Sequence, residues 1–152
     1  GSAGYEHYEI SNFCRPGMYS RHNTSYWKGI PYLGCGPSAH SFNTDTREWN
    51  ISSLEDYIHS IENNHRRFEN EYLDRTTRYN ECIMTSIRTK RGLSLNDLER
   101  EFGKELWQYC MNMARPHLDS GKLEIRDSHL CLTRKGIFVS DSIMSDLMFI
   151  ED

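Results

Sequence analysis

The sequence predicts an α+β fold: strand-bearing sequence over residues 1–50, a connecting helix and linker over 51–73, and a mostly helical, winged-helix-like domain over 74–152. Three observations carry this expectation. Short aromatic-rich runs bounded by turn residues fill the first third. Apolar positions then recur at helical spacing. Finally, the last 80 residues, roughly, give the order helix, helix, helix, hairpin, helix.

In the first section, Tyr5-Glu6-His7-Tyr8-Glu9-Ile10 reads as a strand that ends at Ser11-Asn12. Arg15-Pro16-Gly17 is a turn signal. The stretch Ser20-Arg21-His22-Asn23-Thr24-Ser25-Tyr26-Trp27 follows as a loop or short helical turn, with Asn23 or Thr24 as its cap. Tyr32-Leu33-Gly34-Cys35-Gly36 reads as a second strand, whose glycines permit close approach of backbone or ligand. Arg47-Glu48-Trp49-Asn50 reads as another. These strands are too few to close a sheet by themselves. With Gly1-Ser2-Ala3 resembling a cloning scar, they point to a piece of a longer protein.

Ser53 caps a helix to residue 61 in which Leu54, Tyr57, Ile58 and Ile61 share one face. The polar run 62–67 reads as a linker. A helix from Asp74 to about Thr89 places Tyr79, Ile83, Met84 and Ile87 inward, and Arg91-Gly92 ends it. Ser94 and Asp97 open a short helix that Gly103 stops. The next helix, 104–120, carries Leu106, Tyr109, Cys110, Met113 and Leu118 inward, with Pro116 expected to kink or end it. Residues 122–126 and 129–132 alternate around Asp127-Ser128 and predict a hairpin. Thr133 caps a last helix through about Phe149, with Ile137, Phe138, Ile143, Met144 and Leu147 inward.

Bulk properties exclude several classes. The chain has 152 residues, 26% of them charged, and a net charge of -4, which gives no general attraction to nucleic acid or anionic membranes. No apolar run approaches the ~20 residues that span a bilayer, which leaves peripheral contact open. Cys14, Cys35, Cys82, Cys110 and Cys131 are odd in number, widely spaced and without a CxxC pair, so neither a disulfide framework nor a zinc signature is present. Free thiols fit a reducing cytoplasmic setting.

The densest chemistry lies between Ser20 and Ser41. His22 offers an imidazole that can ligate a metal. Asn23 offers an orienting contact, and Tyr26 and Trp27 offer flat faces for stacking. The alternative is that His22 bonds a backbone carbonyl while the aromatics fill a seam. His7 and His40 read more simply as hydrogen-bonded structural histidines. Cys82 and Cys110 lie on apolar helix faces, and Met144 and Met148 read as packing residues. Gly34-x-Gly36 lacks the third glycine and the helix of a dinucleotide site, so it serves backbone geometry. No catalytic residue is assigned.

Four segments together carry a family resemblance: residues 4–13, Arg15-Pro16-Gly17, Ser20-Arg21-His22-Asn23-x-x-Tyr26-Trp27, and Pro31-Tyr32-Leu33-Gly34-x-Gly36-x-x-Ala39-His40-Ser41. They resemble the oxygen-independent coproporphyrinogen III oxidase family of radical S-adenosylmethionine proteins. Glu81-x-Ile83-Met84-x-x-Ile87-Arg88-Thr89-x-x-Gly92 and Leu132-Thr133-x-x-Gly136 fit too. The His-Asn-x-x-Tyr-Trp element resembles the haem-chaperone, HemW-like branch. The resemblance implies that the first section is the end of a partial (β/α) barrel. It implies a [4Fe-4S] cluster and S-adenosylmethionine in the full-length parent, whose Cys-x-x-x-Cys-x-x-Cys loop is absent here and belongs upstream. It implies haem or porphyrin as ligand, with His22, Asn23, Tyr26 and Trp27 at the haem and His22 on its iron. It places Cys14 and Ile87 beside the S-adenosylmethionine pocket, and it implies haem-acceptor proteins as partners. Cys14 and Cys35 stand where the family pattern suggests small or aliphatic residues.

Two other readings stand beside a haem chaperone. One is a true oxidase that decarboxylates coproporphyrinogen propionates, an activity this chain alone does not complete. The other is a winged-helix DNA-binding module. Against the latter, helix 104–120 carries Lys104 and Arg115 opposed by Glu105 and Asp119, too little positive charge to neutralise phosphates.

Overall fold

The structure is a computed structural model and describes residues 3–150, so Gly1 and Ser2 of the expected scar lie outside the described residues. In chain order the elements are β1 (Glu6–Glu9), β2 (Asn12–Cys14), α1 (Arg21–Trp27), β3 (His40–Phe42), β4 (Thr46–Asn50), α2 (Leu54–Glu62) and β5 (Phe68–Tyr72). Then come α3 (Arg75–Ile87), β6 (Leu93–Ser94), α4 (Leu95–Asp119), β7 (Leu123–Arg126), β8 (His129–Leu132), α5 (Arg134–Ile137) and α6 (Ser140–Leu147). This is the mixed α/β composition the sequence predicts. The chain forms two compact units: Lys28–Asp74 is one, and the residues on either side of it form the other.

The outer unit has its core in the second half of the chain. Tyr79, Ile83 and Ile87 of α3 meet Leu98, Phe102, Leu106, Cys110 and Ala114 of α4, and Ile143 and Leu147 of α6 close the layer. Burial of each large apolar side chain is worth about 1.5–3 kcal/mol, which makes this cluster the main driving force of the unit. Ser94 caps α4 by accepting from the Asp97 N–H at 3.2 Å. Gly103, at φ 75°, breaks α4 into the two expected helices, since L side chains rarely adopt that angle. Pro116 differs from expectation. It sits in the last turn, the helix runs on to Asp119, and the Ser120 N–H donates to the Pro116 carbonyl at 3.1 Å. The predicted hairpin is β7 and β8, with Asp127 and Ser128 at φ 49° and 60°, the left-handed pair that two-residue hairpin turns require. β6 pairs on the other side of β8 to complete a three-stranded wing.

Three apolar residues expected inside are outside. Met84 is 41% exposed, Met113 37% and Phe138 83%. Phe138 is turned out because the last helix is two helices: α5 ends at Ile137, and α6 starts at Ser140. The chain after α6 is gripped by side chains. The Tyr79 hydroxyl donates to the Leu147 carbonyl at 3.0 Å, and the Tyr109 hydroxyl to that of Met148 at 2.9 Å. Asn80 pairs both backbone groups of Phe149, at 2.9 and 2.8 Å.

β1 and β2 form a tight antiparallel hairpin. It is joined to the end of α3 by two backbone bonds, Ile10 N–H to the Arg88 carbonyl at 3.0 Å and Lys90 N–H to the Tyr8 carbonyl at 2.9 Å. Thus the first residues of the chain are tied to residues near 90.

The inner unit is the antiparallel sheet β3-β4-β5 with α2. Ser53 caps α2, as expected. The apolar stripe of α2 is not a core face: Leu54, Ile58 and Ile61 are 60%, 46% and 44% exposed. The expected strand at residues 32–36 is a loop that pairs only at Tyr32, opposite Phe42. It is held by side chains instead. The Gly34 N–H donates to Ser41 Oγ at 3.0 Å, the Gly36 N–H donates to Tyr57 Oη at 3.2 Å, and Asn50 Nδ2 donates to the carbonyls of Gly34 and Gly36 at 3.3 and 2.9 Å. A Cβ on Gly34 would stand 2.1 Å from the His40 carbonyl oxygen, so this approach admits no side chain. β5, expected as linker, pairs with β4 through all five of its residues.

Candidate functional site

The His22 stretch is a two-turn helix, α1. Its start differs from the expected Asn23 or Thr24 cap. Ser20 Oγ accepts from the Asn23 N–H at 3.2 Å, the bond of an N-cap serine. Thr24 and Ser25 return their hydroxyls to the carbonyls of Ser20 and Arg21 at 2.7 and 2.9 Å. The side chains of His22, Asn23, Tyr26 and Trp27 fall on two faces of this helix.

His22 and Tyr26, four residues apart, lie one above the other. Their rings meet edge to face, centroids 4.9 Å apart. His22 is exposed, Tyr26 is 40% exposed, and neither ring nitrogen of His22 has a hydrogen-bond partner among the described residues. The carbonyl bond that would mark a structural histidine is therefore not formed among them. Asn23 and Trp27 make the second pair, both partly buried. The Trp27 ring lies under the Arg88 guanidinium, 5.9 Å from ring centroid to Cζ. Arg88, at the end of α3, also donates through Nε to Glu9 Oε1 at 3.3 Å.

Glu9 is nearly sealed, its side chain 1% exposed. Burial pushes its carboxyl up, but bonds from Asn12, from the Ser11 hydroxyl and backbone, and from Arg88 outweigh it and hold the group below its ordinary value. Glu9 is thus an anchored anion that fixes one edge of Arg88. Neither Glu9 nor Arg88 stands out in the sequence as part of the His22 neighbourhood. The available signal was the polar Glu9-x-Ser11-Asn12 turn, whose short side chains serve the preceding carboxylate.

The other expected residues are placed as follows. Cys14 is partly buried in β2, opposite Glu6. Ile87 is fully buried in the helical core. His7 makes a strand-end bond, Nε2 to the Ile10 carbonyl at 2.9 Å, and stacks on Phe13 at 4.3 Å. His40 belongs to the inner unit, where it lies over Trp49 at 5.9 Å. Cys35 is exposed, between the two bound glycines. Cys82 and Cys110 are packing thiols pushed up to about 11 by burial. Among the described residues no three of His, Cys, Asp or Glu gather as metal ligands. The described residues therefore do not form an iron-sulfur ligand set.

A family model described as the HemN C-terminal domain matches residues 73–139. The heme chaperone HemW of Mycobacterium tuberculosis is 31% identical over 151 residues, which cover 97% of this chain and 36% of that one. The chain carries a HemN C-terminal domain and is similar to HemW over nearly all of its length. HemW of Bacillus subtilis is 26% identical over 92% of this chain and 37% of its own length. The solved structure titled coproporphyrinogen III oxidase (HemN) from Escherichia coli, a radical SAM enzyme, matches with a TM-score of 0.69 at 17% identity. That match covers 97% of this chain and 38% of the enzyme, and it shows that the two share a fold. The chain spans about a third of the length of the HemW proteins it matches. The resemblance read from residues 4–41 is thereby established at the level of the family. Among the described residues no helix is long and apolar enough to cross a membrane.

Proposed function

We propose that this chain is the haem-handling part of a HemW-type chaperone, with His22 as the ligand to haem iron and Tyr26 against the macrocycle. One observation carries the reading: an exposed imidazole with both nitrogens unengaged among the described residues, stiffened by a tyrosine edge at 4.9 Å on a capped helix. A histidine that must accept a metal needs an open nitrogen and a held ring, and α1 supplies both. Relatives named as heme chaperones across most of the chain support the same ligand class. In this reading the haem is cargo, and a haem-acceptor protein takes it from the exposed face of α1. We read the protein as cytoplasmic, a setting that its five free cysteines support. In this reading the [4Fe-4S] cluster and S-adenosylmethionine belong to the full-length parent, with Cys14 and Ile87 beside the S-adenosylmethionine pocket.

The test is a ferric and ferrous haem titration of the chain beside His22→Ala. A saturable Soret shift that the substitution abolishes is the expected result. A shift of equal position and affinity in His22→Ala overturns the assignment.

A further inference from the structure

The Trp27 indole N–H has no acceptor among the described residues, although its nitrogen is buried. A buried donor left unmatched is destabilising, and one kept in a folded protein points to a partner from outside that completes it. Arg88 stands next to it. Its guanidinium lies over the Trp27 ring, and its Nε is held by Glu9. Four of the five guanidinium N–H groups thus have no hydrogen-bond partner among the described residues. The Arg88 side chain is 33% exposed, so its open N–H groups are reachable. Two unmatched donor sets, one neutral and one cationic, therefore neighbour each other at the Trp27 end of the helix that carries His22. Donors of this kind, a guanidinium fork beside an indole N–H, match a carboxylate, which offers acceptors and no donor.

We propose that Arg88 and Trp27 form a carboxylate-holding pair that seats a propionate of the tetrapyrrole whose iron meets His22. This deepens the preceding proposal and rests on its ligand class. The geometry divides the work along α1. The His22–Tyr26 face meets the metal and the ring, and the Asn23–Trp27 face, one residue further round the helix, meets the acidic edge. Glu9 does not compete for this role. Its Oε2 is occupied by Ser11 and Asn12, and its Oε1 takes one bond from Arg88, through Nε, which leaves the fork open. Its effect is to hold the guanidinium at the end of α3 instead of letting it range over solvent.

The experiment separates the two proposals by removing the iron. Metal-free mesoporphyrin and its dimethyl ester are titrated into the chain, followed by porphyrin fluorescence and by the Trp27 indole ¹H–¹⁵N signal. The diacid binds about tenfold or more tighter than the ester, the range expected for a charge-assisted bond, and it moves the Trp27 signal. Arg88→Gln removes most of that preference. Trp27→Phe keeps the ring and the Glu9–Arg88 bond and reduces the preference several-fold, which covers the case in which Arg88→Gln perturbs folding. Equal binding of acid and ester, no binding of the diacid, or a preference that survives both substitutions overturns the pair. A Soret shift unchanged by His22→Ala while the acid preference persists removes the iron assignment alone.

Discussion

Removal of the Asn50 side chain tests how the glycine loop of the inner unit is built. Asn50 is 2% exposed and makes three bonds: Nδ2 to the carbonyls of Gly34 and Gly36 at 3.3 and 2.9 Å, and Oδ1 from Arg66 Nε at 2.8 Å. The 3.3 Å bond is long and adds little. The 2.9 Å bond is worth about 1 kcal/mol, and the bond to a charged donor about 2 kcal/mol. Asn50→Ala therefore costs about 3 kcal/mol, and more where the two carbonyls stay dry. Ser41→Ala, which removes a single 3.0 Å acceptor from the Gly34 N–H, costs about 1 kcal/mol. The assay is urea unfolding in a Trp27→Phe, Trp107→Phe background, where Trp49 of β4 reports on the inner unit alone. Amide exchange at Ser38, bonded to the Ile51 carbonyl at 3.2 Å, gives an independent local reading. If Asn50→Ala lies within about 1 kcal/mol of the parent, or Ser41→Ala costs more than Asn50→Ala, the side-chain knot is not what holds the loop.

Three further outcomes are expected. Because the Glu9 carboxyl is held below its unfolded value of 4.5, its ionised form stabilises the fold fully above that value, and the contribution is lost as pH falls through the lower folded value. The stability gap between the parent and Glu9→Gln should thus be widest near neutrality and shrink below about pH 4.5; urea midpoints from pH 7 to 3 check this, and a gap that widens on acidification refutes it. Cys82 and Cys110, both near 11, should resist alkylation at pH 8 until the protein unfolds, while exposed Cys35 reacts at once, as mass spectrometry of timed iodoacetamide reactions will show. Asn80→Ala loses both bonds to Phe149 and should cost about 1–2 kcal/mol, with the Phe149 amide among the first to lose exchange protection.

The helical half was legible because each element carries its own local signal. Ser94 and Thr133 cap where the sequence says they cap, Gly103 breaks α4, and Asp127-Ser128 turns the hairpin. The inner unit was less legible because its pairing is not written in alternation. β5 exposes all five residues and is recruited through cross-strand partners such as Arg47–Glu71 at 3.1 Å and Trp49 Nε1–Glu69 at 2.9 Å. The run at 32–36 has the aromatic and glycine content of a strand, but side-chain acceptors had already taken its backbone groups. At the candidate site, His22 and Tyr26 could be paired from their spacing of four. Arg88 could not, because its neighbours Trp27 and Glu9 are 61 and 79 positions away and no local pattern encodes such a contact.

The division of the chain also bears on the order in which it folds. The inner unit is continuous in sequence, whereas the outer one is interrupted by it. On the ribosome, residues 28–74 emerge complete and free to organise while the β1-β2 hairpin still waits for its partner at residues 88–90. Closing the Glu9–Arg88 contact spans 79 positions of chain. A collapsed middle section shortens the flexible length that must be closed, and the entropy cost rises with that length. Slow formation of the inner unit would therefore delay assembly of the His22 helix on α3, so substitutions far from haem chemistry in sequence can reduce the yield of binding-competent protein without touching its affinity.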